Sequence, residues 1–137
     1  EDFAVYEMAA SLQNTAVCKI VKIQKDESCN TYELISEHLD ANAEEILADI
    51  DYQGNTAKMY QNDLLQADNF YTGQIWEIGI KRFMKCNEKE ALKMKIKVTP
   101  LYKNAKLYLQ TWPKFEGDKV CQICSINTRS LYRTNVF

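Results

Sequence analysis

The chain has 137 residues, 46% hydrophobic and 26% charged, which suits one globular domain with a real core and excludes collagen-like, low-complexity and disordered classes. A formal charge of −2 argues against a uniformly basic binder of polyanions, so an anionic partner has to be met by a local patch. No apolar run approaches the roughly 18 residues of a membrane span, and no signal-peptide pattern opens the chain.

In chain order, Ala16–Ile23 is rich in β-branched residues and reads as the first long strand, followed by a polar turn over Lys25–Asn30. Thr31–Leu39 is compatible with either a further strand or part of a long loop. Glu45–Asp51 reads as a strand. Asp51-Tyr52-Gln53-Gly54-Asn55 has the composition of a tight turn, with Gly54 free to take positive φ, so that Thr56–Tyr60 would complete a hairpin. Asn62–Ala67 is expected to form one short helical turn capped by Asn62 or Asp63.

After Phe70–Gly73 the chain returns as a strand over Gln74–Ile80, with Trp76, Ile78 and Ile80 on one face. The opposite face continues through Glu77, Gly79 and Lys81 to Phe83. A polar turn at Cys86–Glu90 precedes Leu92–Val98, where Leu92, Met94, Ile96 and Val98 alternate with Lys93, Lys95 and Lys97. That pattern is a strand with an apolar face and a lysine face, ended or placed at an edge by Pro100. Further strands are expected over Lys106–Trp112 and Lys119–Ile126, with Leu131–Tyr132 in a short tail. Trp76 and Trp112 are assigned to the core.

Short strands without a βαβ rhythm make the fold class all-β, and the brief helix in the middle favours a small barrel over a seven-strand sandwich. Two prolines and four glycines leave no linker, so residues 1–137 form one domain.

Charge is segregated along the chain. From Asp26 to Asp51 the charged residues are all acidic, whereas from Lys81 to Lys106 they are mostly basic. The five cysteines, Cys18, Cys29, Cys86, Cys121 and Cys124, are odd in number and irregular in spacing, which suits a reducing compartment such as the cytosol or nucleus. The Cys121-x-x-Cys124 pair would need two more zinc ligands from Cys86, Cys29 or His38, so buried thiols are the expectation and neither a metal nor a cofactor is assigned. With one histidine and no Gly-rich phosphate loop, H-E-x-x-H or G-x-S-x-G, nothing points to an enzyme.

The run ILADIDYQGNTAKMYQNDLLQADNFYTGQIWEIGIKRF, Ile46 to Phe83, resembles the central part of an oligonucleotide/oligosaccharide-binding (OB) fold in the large subunit of replication protein A. The opening VYEMAASLQNTAVCKIVKI, Val5 to Ile23, is similar to that family's lead-in and first strand, and telomere end-binding proteins share the architecture. The resemblance spans about Val5 to Leu109 and rests on pattern rather than on invariant residues. It implies a five-stranded Greek-key barrel with a short helix between strands three and four, extra C-terminal strands, and a place as one module of a larger nuclear protein.

The function it implies is single-stranded DNA binding, with G-rich telomeric sequence among the candidate ligands, bases stacked on aromatic rings and phosphates met by basic side chains. Tyr60 falls at the family's third-strand stacking position beside Lys58; the competing reading is a half-buried tyrosine with its hydroxyl satisfied. Phe83, sharing a face with Lys81, is the second candidate. The family's aromatic near the fifth strand has no equivalent at Leu92 or Met94, which leaves Tyr102 as its substitute. Arg82, Lys85, Lys93, Lys95, Lys97 and Lys103 are the phosphate candidates. The alternative reading is a structural subunit that assembles with other OB-fold proteins, marked by the acidic segment and by an apolar tail of Leu131, Tyr132, Val136 and Phe137.

Overall fold

The structure is a computed structural model that describes residues 3–8, 16–84, 91–106, 109 and 111–136, with backbone only for 3–8 and 133–136. The strands are β1 (Phe3–Met8), β2 (Val17–Lys25), β3 (Asn30–Glu37), β4 (Glu45–Gln53), β5 (Thr56–Gln61), β6 (Leu64–Phe70), β7 (Trp76–Gly79), β8 (Leu92–Val98), β9 (Leu101–Tyr102), β10 (Lys119–Val120) and β11 (Gln122–Val136). The fold is all-β and antiparallel, and among the described residues the one helical element is a 3-10 turn over Lys81–Phe83. No helix of the described residues is long and apolar enough to cross a membrane.

In place of a closed five-stranded barrel, the ladders form a four-stranded sheet ordered β1-β11-β4-β7, a five-stranded sheet ordered β2-β3-β8-β5-β6, and a small β9–β10 ribbon. The two larger sheets face each other across one core. Leu34 of β3, Ala57 and Met59 of β5, and Met94, Ile96 and Val98 of β8 come from one side. Ile46, Ala48, Ile50 and Tyr52 of β4, with Trp76 and Ile78 of β7, come from the other. The alternation legible in Leu92–Val98 is therefore the pleat itself, since every second side chain enters the core. Each aliphatic side chain fully buried in this way stabilises by about 1.5–3 kcal/mol. Tyr52 lies edge-on to Tyr71 at 5.6 Å and to Trp76 at 6.3 Å, and burial pushes its phenol pKa up. The sheets are tied at one end by the Ile123 N–H donating to Tyr32 Oη at 3.1 Å and by Asn30 Nδ2 donating to the Cys121 carbonyl at 2.8 Å.

Several expectations are corrected. Of Thr31–Leu39, the part up to Glu37 is strand, with the buried positions Tyr32, Leu34 and Ser36 carrying its period, and His38 and Leu39 lie beyond its end. The turn at Tyr52–Asn55 does not close a hairpin: β4 and β5 belong to different sheets, so this segment carries the chain from one sheet to the other. Gly54 is not in the positive-φ region; it is required because a Cβ there would lie 2.6 Å from both the Thr99 carbonyl oxygen and Val98 Cγ1.

The tight hairpin lies at Asn62–Asp63, where a short helix was expected. Both residues have positive φ, 51° and 63°, and they form the two-residue loop joining β5 to β6. This is the left-handed geometry that Asn and Asp tolerate and that matches the twist of the flanking strands. Leu64–Phe70 is consequently a strand.

Trp112 is 39% exposed and leans on Phe115 at 6.4 Å, outside the core cluster, so its core assignment fails. Leu131 and Tyr132 are not a tail: they lie inside the long β11, with Leu131 registered between Met8 of β1 and Glu45 of β4. Leu131 and Tyr132 are half-buried in that strand, and the side chain of Val136 and all of Phe137 lie outside the described residues. The strand expected over Lys106–Trp112 falls partly outside them, and Lys106, Leu109, Thr111 and Trp112 are not in strand.

Candidate nucleic-acid interface

Alternation sends one set of side chains from each strand of the five-stranded sheet away from the core, and the registers align these sets into rows. Glu33 of β3 is level with Lys95 of β8, which is level with Tyr60 of β5. In the next row Thr31, Lys97 and Lys58 are level, and in the other direction Ile35 meets Lys93. On β2, Lys19 and Lys22 register with Ile35 and Glu33 on the same face. Lysines 93, 95 and 97 recur along β8 every second residue, about 7 Å apart.

The polar contacts on this face are specific. The Lys97 ammonium lies 5.2 Å from the centroid of the Tyr60 ring, a cation–π contact. Lys95 sits between Glu33 at 3.9 Å and Asp63 at 3.7 Å, pairs too exposed to add much stability. The Asn62–Asp63 loop borders two adjoining clefts that share Tyr60, Asp63 and Lys95. One, of about 390 Å³, is edged by Val21, Ile35 and Lys93; the other, of about 350 Å³, is edged by Gln24, Thr31 and Lys97. The face thus offers cations at regular spacing, a half-buried aromatic ring and a recess, the chemistry that an anionic chain with flat rings requires. Glu33, Glu37, Asp63 and Asp68 lie among the lysines, so the patch is moderately rather than strongly basic.

The outward face of the four-stranded sheet has the opposite character. Asp49 and Glu77 are level across β4 and β7, and Arg129 of β11 joins them. Its guanidinium grips Asp49 through Nε–Oδ2 at 2.5 Å and Nη2–Oδ1 at 2.8 Å, and Nη2 also donates to Glu77 Oε2 at 2.7 Å. The hydrogen bonds to Asp49 lead in raising the Arg129 pKa above its usual value. The basic run of the sequence reaches the five-stranded face through β8, and the end of the acidic run reaches the other through β4.

Of the residues expected from sequence, Lys58, Tyr60, Lys93, Lys95 and Lys97 come together on this one face. Phe83 does not: it is 7% exposed and belongs to the core, with the Arg82 guanidinium 4.6 Å over its ring. The strand ends at Gly79 and the chain enters the 3-10 turn, so period-2 counting extended past Ile80 assigns Phe83 to the wrong side. Lys81 is committed elsewhere, its ammonium donating to the Ala43 carbonyl and its N–H to Glu45 Oε1 at 3.3 Å. Arg82 is exposed within that turn. Tyr102, 46% exposed, and Lys103 sit on the β9–β10 ribbon rather than on the five-stranded sheet. Lys85 lies outside the described residues.

Sequence reasoning missed Lys19 and Lys22, and it missed Phe70. That ring is 74% exposed and registers opposite Thr56, on the face that carries Lys58 and Tyr60. Asn62 and Asp63 suit a helix cap as well as a hairpin, so no local signal separates the two; the pairing of β6 with β5 sets the register that brings Phe70 to this face.

Among the described residues no three His, Cys, Asp or Glu side chains converge as a metal site. Burial pushes the Cys18 and Cys121 thiols up, away from reactive thiolate, and Cys121 Sγ donates to the Val98 carbonyl at 3.0 Å. Comparison with protein-family models, with curated proteins and with solved structures found no match to this chain.

Proposed function

We propose that the outward face of the five-stranded sheet binds single-stranded nucleic acid without catalysis, with a base on Tyr60 and phosphates along Lys58, Lys93, Lys95 and Lys97. The observation that carries this reading is the β5–β8 register, which sets Tyr60 and Lys58 beside the row of lysines, with the Lys97 ammonium over the Tyr60 ring. The resemblance to replication protein A modules implied the same division of labour between rings and lysines. Here one face of two packed sheets would perform it, as a module of a larger nuclear assembly of the replication or telomere kind.

The test is fluorescence anisotropy of labelled ten-nucleotide strands, polythymidine and G-rich, with a duplex as control. Saturable binding of single strands at micromolar protein is expected. Tyr60→Ala should weaken it by fivefold or more, since stacking contributes about 1–3 kcal/mol per base. Lys97→Met should flatten the dependence of log K on log salt by about 0.7, the loss of one single-strand phosphate contact. A G-rich preference would favour the telomeric setting. Absence of binding at about 100 μM protein in low salt overturns the reading.

A second reading, assembly with a protein partner, is favoured by the apolar side chains exposed on both edge strands of the same sheet. Among them are Val21 (53%) and Ile23 (50%) on β2, with Leu64 (67%) and Leu65 (51%) on β6. Light scattering across a concentration series and capture of OB-fold subunits test it.

A further inference from the structure

Resting on that reading, we infer that Phe70 is a second stacking position, so that the bound strand runs along β5 and β6 from Tyr60 at the hairpin end to Phe70 at the far end. Phe70 is the most exposed large hydrophobic side chain among the described residues, at 74%, and packs into neither sheet's core. Its register with Thr56 places it on the outward face, one strand over and four residues along from Tyr60. The separation is about 14 Å, from four residues of rise and one strand spacing.

Between the two rings lie Lys58 and Lys97, level with each other on neighbouring strands. Thr56 and Thr99 close the far end, their hydroxyls 2.7 Å apart. Ring, cations, ring is the order in which base, phosphates and base would be met. Asp68, level with Lys58 on β6, is the opposing element, because its carboxylate stands in the path of the phosphates. The path also sets a length requirement. A strand stacked at about 3.4 Å per nucleotide needs roughly four steps to reach from one ring to the other, and an extended strand fewer. A dinucleotide cannot engage both.

The test is a length series of oligothymidines of two, four, six and ten nucleotides, titrated against wild type, Phe70→Ala, Phe70→Trp, Asp68→Asn and Tyr60→Ala. Wild-type affinity is expected to rise by fivefold or more between two and six nucleotides and to gain little per nucleotide beyond. Phe70→Ala should abolish that rise and leave dinucleotide affinity unchanged, while Phe70→Trp preserves it. Asp68→Asn should tighten the longer strands. Since Phe70 and Asp68 are exposed, these variants leave the core untouched. If wild type binds the strands and Tyr60→Ala weakens them while Phe70→Ala matches wild type at every length, the second stacking position is overturned and the Tyr60 site stands. If wild type binds none of them, both fall. If Phe70→Ala changes only the association state of the protein, Phe70 belongs to a protein contact and the inference fails.

Discussion

Replacing Gly54 with alanine tests the argument about how the chain passes between sheets. The new methyl carbon would lie 2.6 Å from the Thr99 carbonyl oxygen and 2.6 Å from Val98 Cγ1, whereas ordinary contact between such atoms is about 3.5–4.0 Å. The obstruction is a backbone carbonyl rather than the tip of a flexible side chain. That carbonyl accepts the Asn55 N–H at 2.8 Å, and Thr99 exchanges further hydrogen bonds with Thr56 through its own N–H at 2.9 Å and its hydroxyl at 3.0 Å. Retreat by about 1 Å strains the strand end at a cost of about 1–3 kcal/mol and weakens one hydrogen bond worth about 1 kcal/mol. Against this, alanine lowers the entropy of the unfolded chain and returns about 0.4–1 kcal/mol. The net expectation is a loss of about 1–3.5 kcal/mol, measured by urea unfolding with the fluorescence of buried Trp76 as the signal. Gly117→Ala is the control, since a Cβ there meets nothing within 4 Å, and it should leave stability unchanged or slightly raised. If Gly54→Ala loses less than about 0.5 kcal/mol, or behaves like the control, then close approach is not what requires glycine there.

Asn62→Val places a β-branched residue at φ 51° and should cost about 1–2 kcal/mol, read from the same urea transition. A loss near zero would show that the loop relaxes without its left-handed pair. Acid sensitivity is expected at Asp40, whose carboxyl is held below the usual range chiefly by the Tyr132 hydroxyl, which donates to Oδ2 at 2.5 Å, and then by the Asn42 N–H. A depressed carboxyl pKa stabilises the fold above the unfolded value, about 3.9, and that contribution disappears as pH falls through the folded value. The difference in urea midpoint between wild type and Tyr132→Phe should therefore be present at pH 7 and shrink below about pH 4. A difference that stays constant with pH would detach the effect from Asp40.

Much of the candidate face was legible before the fold was known, because the Lys93-Lys95-Lys97 alternation and the position of Tyr60 are local facts. A strand must put such lysines on one side and Leu92, Met94, Ile96 and Val98 on the other. The failures share a cause. Carrying a strand's period beyond the strand's end puts Phe83 on the wrong side, and Asn62–Asp63 suggests a helix because both residues cap helices as readily as they enter the left-handed region. Neither local sequence nor composition separates those choices; the neighbouring strand does.

By itself the sequence determined the strands β2, β4, β5, β7 and β8, the core face of β7 and of β8, and the separation of acidic from basic runs, since these follow from side-chain alternation and composition within single segments. Tertiary structure alone decided which strands are neighbours, that β4 and β5 part into different sheets, and that Phe70 stands on the same face as Tyr60. Pairing joins residues far apart in the chain, and its register depends on turn geometry and on which apolar faces meet, so no single segment carries that information.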